Sequence, residues 1–554
     1  KIKDSGKFKK TVVLLNSVFA MEMDWLDEYN VDAVLWVGNP GFYGMPGAIR
    51  VVTGEVNPSG HTTATFAANS LSAPSAENFG LHAYNYGSKT PRAAGDSFVS
   101  YNEGIYVGYR YYETRYYDYV AGSGNAADPT GAYGSTTEWN YDNEVTYGFG
   151  YGLSYTDFTF EFEGEPTFDI SVDAETGAPS AFATFNVKVT NVGDVAGKTP
   201  VQIYGQAPYI AGGVEKSAIQ LLNFEKTDLL QPGDSEVVTV TVDLQYIASY
   251  DETYDNGDGT TGTYIMDPGD YYFSVGNGAH DALNHIMAAQ GMDASRMSGT
   301  GNASQAYMKT ITEDFISKTL FSVSKTGYQI SNQLPYADWN YYQPGEVTYL
   351  TRTDWAGTFP KTYDAMTLTN EELINNLNGH TYELQTGDDT SDIVWGEDNG
   401  IQFYEMYGVD YDDPKWDDLL DQLTLEEAMY IFTFGGPSIP GADSIGTVET
   451  YMTENAGNGI AVNLNASKDP NAPWAISSSD PNGNWHPEVF ANAPLGASTF
   501  NPELMYELGQ FTGIESLFTG INILWGPGLN THRHAYNGRN GEYYSEDPLV
   551  SGKM

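Results

Sequence analysis

The 554-residue sequence has no cysteine. That excludes disulfides, thiolate metal sites and cysteine nucleophiles together, so stability has to come from packing. Positive charge is also scarce: 25 Lys plus Arg stand against 73 Asp plus Glu, for a formal net charge of −48. Such a surface repels nucleic-acid phosphates and anionic lipid over a Debye length and favours neutral or cationic partners. Acidic surfaces also keep large proteins soluble, so the charge by itself names no substrate. No apolar run approaches the roughly 18 residues of a membrane span, and no N-terminal signal segment is visible. The sequence opens on Lys1 rather than Met, which leaves room for a leader or an upstream domain.

What is present is ample for folded domains: 41% hydrophobic and 14% aromatic residues. At roughly 150 residues per domain the length predicts about three or four domains. TVVLLN (11–16), MEMDWLDEY (21–29) and VDAVLWVG (31–38) alternate as strand, helix and strand, half of an α/β sheet domain whose loop NPGFYGMPG (39–47) leaves the carboxyl end of a strand. Residues 84–157 are rich in Tyr and Gly, as in YNEGIYVGYRYYETRYYDY (101–119). Tyrosines at this density either line a sugar site, ring faces on pyranose C–H patches, or form a packed, half-exposed surface beneath another domain. From 159 to 279 alternating strands and turn residues, as in LLQPGDSEVVTVTVDL, predict an antiparallel β-sandwich without a clustered acid, base or ligand set. Residues 280–411 read as a connecting segment that wraps another domain, because a free linker of this length is unusual. From 412 to 554 helical character returns. WDDLLDQLTLEEAMYIFTFGG (416–436) predicts a helix pair, the second capped at Thr424, and NPELMYELGQFTGIESLFTG (501–520) runs into the strand INILWGPG (521–528), the parts of a β/α barrel.

Chemistry concentrates at the end of that strand. GPGLNTHRHAYNGRNGEYYSEDP (526–548) carries Asn530, His532, Arg533, His534, Asn537, Arg539, Asn540, Glu542, Glu546 and Asp547. Paired cations and acids there can form a purely structural ion-pair cluster, or a network on which a guanidinium fork holds two substrate hydroxyls. His532 and His534, two apart with no Cys and no third spaced histidine, do not make a closed zinc site. The glycines of GFGYGLSY follow no phosphate-loop pattern. Two Asn-Ala-Ser sequons, at Asn302 and Asn465, matter only in a secretory compartment.

The 526–548 run resembles the barrel motif of glycoside hydrolase family 3, in which G-P-x-x-N-x-x-R and then G-R-N-x-E-x-x-S-E-D-P surround a sugar subsite. LTLEE (423–427), LGASTFNPELMYELG (495–509) and the closing SGKM resemble the same barrel domain. KTVVLLN, VDAVLWVGNPG, NPSGH (57–61), EGIYVGYRYYET and FGYGLSY resemble the family's α/β sandwich domain, and 159–277 its fibronectin type III module. The resemblance covers most of the chain and implies a permuted order: a partial α/β sandwich domain (1–158), a fibronectin type III-like β-sandwich (159–279), the connecting segment (280–411) and a partial (β/α) barrel (412–554). Carried over residue by residue, it implies that Arg539 contacts sugar hydroxyls while Arg533, His532, Glu542 and Asp547 support it. Where the family has T-D-G-P-x-G-x-R, this chain has TENAGNGIA (453–461), so either Asn455 or, with a one-residue shift, Glu454 takes the place of the sugar-gripping Asp.

Retaining hydrolysis needs two carboxyl groups about 5–5.5 Å apart. By the resemblance both lie on sequence outside this chain, which leaves its catalytic residues unknown. Asp354 in TRTDWAG (351–357) imitates the nucleophile's motif but precedes the barrel segments, so a packing or turn role is expected, and Glu103 and Glu113 are expected to be surface or structural carboxylates. The resemblance implies a β-glucosidase-like or β-xylosidase-like enzyme acting on an oligosaccharide or glycoside, without metal or other cofactor, with a homo-oligomer and a bacterial cytoplasmic or extracellular location both left open. The alternative is a non-catalytic carbohydrate-binding or scaffold protein on the same fold, with 453–461 as its signature.

Overall fold

A computed structural model of the chain describes residues 5–87, 97–363, 368–379, 393–436, 438–454, 459–460 and 489–554. Two compact units emerge. The first takes Lys1–Gly379, Ala491–Pro502 and Leu529–Met554, the second His380–Phe490 and Glu503–Gly528. The stretch expected to form one partial barrel, 412–554, is therefore divided: its glycine-bearing loop and last helix go with the first unit, because their polar side chains find partners on residues 61–109.

In the first unit, β1 (Val12–Leu15), α1 (Trp25–Tyr29) and β2 (Ala33–Trp36) form the expected strand, helix and strand, with β1 and β2 parallel and Val12 opposite Ala33. Helix α2 (Tyr109–Ala121) starts after Gly108 (φ 56°) and ends at a left-handed Gly122. Tyr109, Tyr111, Tyr112, Glu113, Arg115, Tyr116 and Asp118 on it are all buried. A helix covered on every side must satisfy its polar groups internally. Arg115 does so by donating to the Ala126, Asp128 and Thr130 carbonyls and to the Tyr111 hydroxyl. The tyrosines of 109–116 are thus core residues and do not line an open sugar site; the hydroxyls of Tyr109, Tyr111 and Tyr116 are taken up by Asp547, Arg115 and Asn284.

The β-sandwich follows. One sheet holds β3 (Phe158–Phe162), β4 (Thr167–Val172), β5 (Pro179–Asn191) and β8 (Ser235–Asp243), all antiparallel to β5 where they pair with it. The other runs in the order β7 (Gln220–Lys226), β6 (Pro200–Gln206), β9 (Gly269–Gly276), β10 (Ala306–Ile311). Alternation along β5 buries Ala181, Ala183, Phe185, Val187 and Val189, and these meet Val201, Ile203, Val240, Phe273 and Val275 in one core. Every residue of β6 is buried, since it is a central strand covered on both faces. Strand β10 and helix α3 (Ala279–Ala289), which packs on β9, both come from the stretch expected only to connect and wrap. A later part of that stretch is tied down by Arg352, whose guanidinium grips buried Asp118 at 2.6 and 3.1 Å while Trp355 donates to the same carboxylate.

The second unit contains α4 (Leu425–Phe434), β11 (Thr450–Glu454), α5 (Pro502–Thr519, from its second residue on) and β12 (Ile523–Trp525). Thr424 and Glu427 close a capping box on α4, as the spacing predicts. Strands β11 and β12 pair in parallel, Met452 opposite Ile523, with α5 leading into β12. Parallel pairing with an intervening helix is the repeating element of a β/α architecture. No helix among the described residues is long and apolar enough to cross a membrane. The final helix, α6 (Pro548–Lys553), belongs to the first unit.

Candidate functional site

The loop from 529 to 547 is held by its own buried polar side chains. His532 lies beneath it, its ring Nε2 2.9 Å from the Tyr543 carbonyl and its backbone N–H donating to Ser545. The His534 ring accepts from the Tyr536 N–H at Nδ1 and donates to the Ser70 carbonyl through Nε2, which fixes a neutral tautomer. Burial lowers the pKa of both histidines, so they serve as uncharged spacers. Among the described residues no three His, Asp or Glu side chains converge as metal ligands. Asn540 donates to the His534 carbonyl and closes the turn.

Arg533 points inward. Its guanidinium meets the Glu103 carboxylate at 2.5 and 3.1 Å, donates to the Ser100 carbonyl and lies 4.2 Å over the Tyr101 ring. Glu103 is 1% exposed, so the pair is a desolvated one on the 100–108 loop and Glu103 is a structural carboxylate. Asp547 is fully buried, caps α6 through the Leu549 and Val550 N–H groups, and accepts from the Tyr109 hydroxyl at 2.7 Å. Arg110 stands 3.7 Å from it.

Glu546 was visible in the sequence only as one acid among several, yet it is the most constrained. Its carboxylate accepts from the Thr65 N–H and hydroxyl and from the Tyr109 N–H, at 2.8 to 2.9 Å. Burial pushes its pKa up to about 7 against the pull of these three donors. The carboxylate sits where a side chain on Gly108 would be, and Gly108 also has a positive φ, so that glycine is required twice over. Gly108 ahead of the helix was the sequence signal; its partner, 438 residues away, was not legible.

Arg539 and Glu542 are different. Arg539 remains 68% exposed at the side chain and forms a fork on Glu542 at 2.5 and 2.8 Å, three residues away on the same turn. The hydrogen bonds from Arg539 lower the Glu542 pKa. The cavity beneath the loop, bounded by Tyr112, Arg533, His534 and Glu546, measures about 50 Å³, room for water rather than a sugar. Arg539 does not line this cavity. Glu454 is exposed at the end of β11 in the second unit, and Asn455 and Asn465 lie outside the described residues.

The remaining acidic candidates are structural. Asp354 caps a helical turn at 355–358 and accepts from the Asn125 amide. Glu113 is buried between the Tyr141 hydroxyl at 2.5 Å and the His280 ring at 2.9 Å. Glu103, Glu542, Glu546 and Asp547 each have their oxygens committed to a cation or to N–H and O–H donors. The cluster can orient and grip; none of these four is placed as an unengaged nucleophile.

Comparison with known proteins shows what the chain is similar to. The model of the glycosyl hydrolase family 3 C-terminal domain matches residues 3–109, and that of the fibronectin type III-like domain matches 199–279. The chain is 29% identical to a β-glucosidase of Ruminococcus albus over 563 aligned positions, covering 100% of the chain and 46% of the relative. It is 27% identical to β-glucosidase A of Butyrivibrio fibrisolvens, covering 99% and 56%. A crystal structure of a β-glucosidase from Paenibacillus barengoltzii shares the fold at a TM-score of 0.60 and 24% identity, over 99% of this chain and 49% of that one. In both matched domains and across its length, the chain is similar to the β-glucosidases of glycoside hydrolase family 3. It spans about half the length of the curated relatives it matches.

Proposed function

We propose that this chain forms part of a retaining β-glycosidase that releases a non-reducing terminal β-linked sugar, glucose or xylose, and that it supplies sugar-holding rather than bond-cleaving groups. The observation that carries the reading is the contrast within one loop. Arg533, His532, Glu546 and Asp547 are locked, while Arg539, on the fork with Glu542, alone among these presents a largely exposed guanidinium. A fork already oriented by a carboxylate loses little entropy on taking two hydroxyls. The β-glucosidase relatives support the activity and glucose as the sugar.

The test is hydrolysis of aryl β-glucosides and β-xylosides by the full-length protein and its Arg539→Ala variant. Loss of charge-assisted bonds worth about 1.5–3 kcal/mol should lower kcat/KM by roughly 10- to 150-fold. The unfolding midpoint should barely change, because the Arg539 pair is exposed. Unchanged kcat/KM refutes the role of Arg539, and failure of the wild-type protein to release aglycone from any aryl glycoside favours a non-catalytic carbohydrate-binding protein.

A further inference from the structure

A second cavity of the first unit lies away from the 529–547 loop. It is a cleft of about 890 Å³ along the sandwich, with β7 and β8 as its floor, the 245–250 turn along one side and α6 along another. That volume lies within the range of small-molecule sites, roughly 300–1,000 Å³. Tyr246 and Tyr250 line it and are 52% and 38% exposed, although rings of this size normally bury more. Tyr264 meets the Tyr250 ring edge-on at 5.2 Å and fixes its orientation.

The charged residues of the wall decide the ligand class, because each is already partnered. Lys553 holds Glu225, Asp243 holds Lys325, Lys216 holds Asp267, and Arg110 faces Asp547. Glu215 accepts from the Tyr106, Tyr209 and Thr351 hydroxyls and the Arg352 N–H. What remains for a ligand is tyrosine faces beside the neutral side chains of Gln245 and Ser249 and the Gln220 amide oxygen, since the Asn223 amide and Thr241 hydroxyl are already bonded. Ring faces against C–H patches, with amides and hydroxyls around them and no uncompensated charge, recognise a neutral polyhydroxylated chain.

We infer that this cleft is an accessory binding site for a neutral oligosaccharide, separate from the loop that carries Arg539. The cleft's ligand class rests on its own lining; only the choice of β-linked glucose or xylose units rests on the proposed hydrolase reading. Calorimetric titration of the full-length protein with β-1,4-linked gluco- and xylo-pentaose tests it, alongside Tyr246→Ala/Tyr250→Ala and the ring-retaining Tyr246→Phe/Tyr250→Phe. The alanine pair should bind pentaose about tenfold more weakly, the loss expected for one stacked ring, with aryl-glycoside kcat/KM unchanged. The phenylalanine pair should bind as wild type, which separates stacking from a folding defect. Absence of pentaose binding in the wild type, or equal binding by the alanine pair, overturns the inference. Pentaose binding by the wild type that the alanine pair weakens, in a protein that cleaves no aryl glycoside, would sink the hydrolase reading and leave the cleft standing.

Discussion

Removing the Arg533 side chain tests how the loop is built. In Arg533→Ala the Glu103 carboxylate, 1% exposed, loses a cation that meets it at 2.5 and 3.1 Å, and the Ser100 carbonyl loses its donor. Both side chains are well buried, 14% exposed for Arg533, so solvent screening discounts the pair little. Breaking a buried pair from one side costs about 3–5 kcal/mol, mostly for the stranded charge. The loss of guanidinium contact with the Tyr101 ring adds to that cost. Guanidinium chloride unfolding should therefore show an earlier midpoint for the transition of the first unit, at an unchanged slope. The double variant Arg533→Ala/Glu103→Gln should recover part of the loss, because the buried charge is then gone. A change under about 1 kcal/mol in the single variant, or no recovery in the double, would refute the view that this pair is what fixes the loop to the 100–108 segment.

Two further outcomes follow from the acidic residues assigned to structure. Asp354→Ala should cost about 1 kcal/mol as a lost helix cap and leave aryl-glycoside kcat unchanged; a collapse of kcat at intact folding would restore it as a nucleophile. Burial lowers the His280 pKa, but the Glu113 charge and hydrogen bond override it, and the net shift is upward. The His280–Glu113 pair thus stabilises fully below the unfolded histidine pKa, about 6.5, and that contribution fades as pH rises through the higher folded value. Stability measured from pH 6 to 9 should fall less steeply in His280→Asn than in wild type, and identical slopes would show that the pair does not titrate as described.

The sequence by itself determined the local elements and the resemblance to glycoside hydrolase family 3. Strand, helix and strand at 11–38, the capping box at Thr424 and Glu427, and the alternation of 181–189 rest on neighbours a few residues apart, so their periodicity and caps are written in order along the chain. The 526–548 motif likewise identified the loop that carries Arg539. Tertiary structure decided what each polar residue does. Glu546 meets Thr65 and Tyr109, Arg533 meets Glu103, and Asp354 meets Asn125, pairings across hundreds of residues that no local pattern encodes. It also decided that the tyrosines of 109–116 are core, since a helix buried on all sides shows no amphipathic period to mark its covered face. Only packing could separate the exposed fork of Arg539 from its locked neighbours, because in sequence they are equally polar, and burial alone distinguishes a group that can grip a ligand from one already spent on the fold.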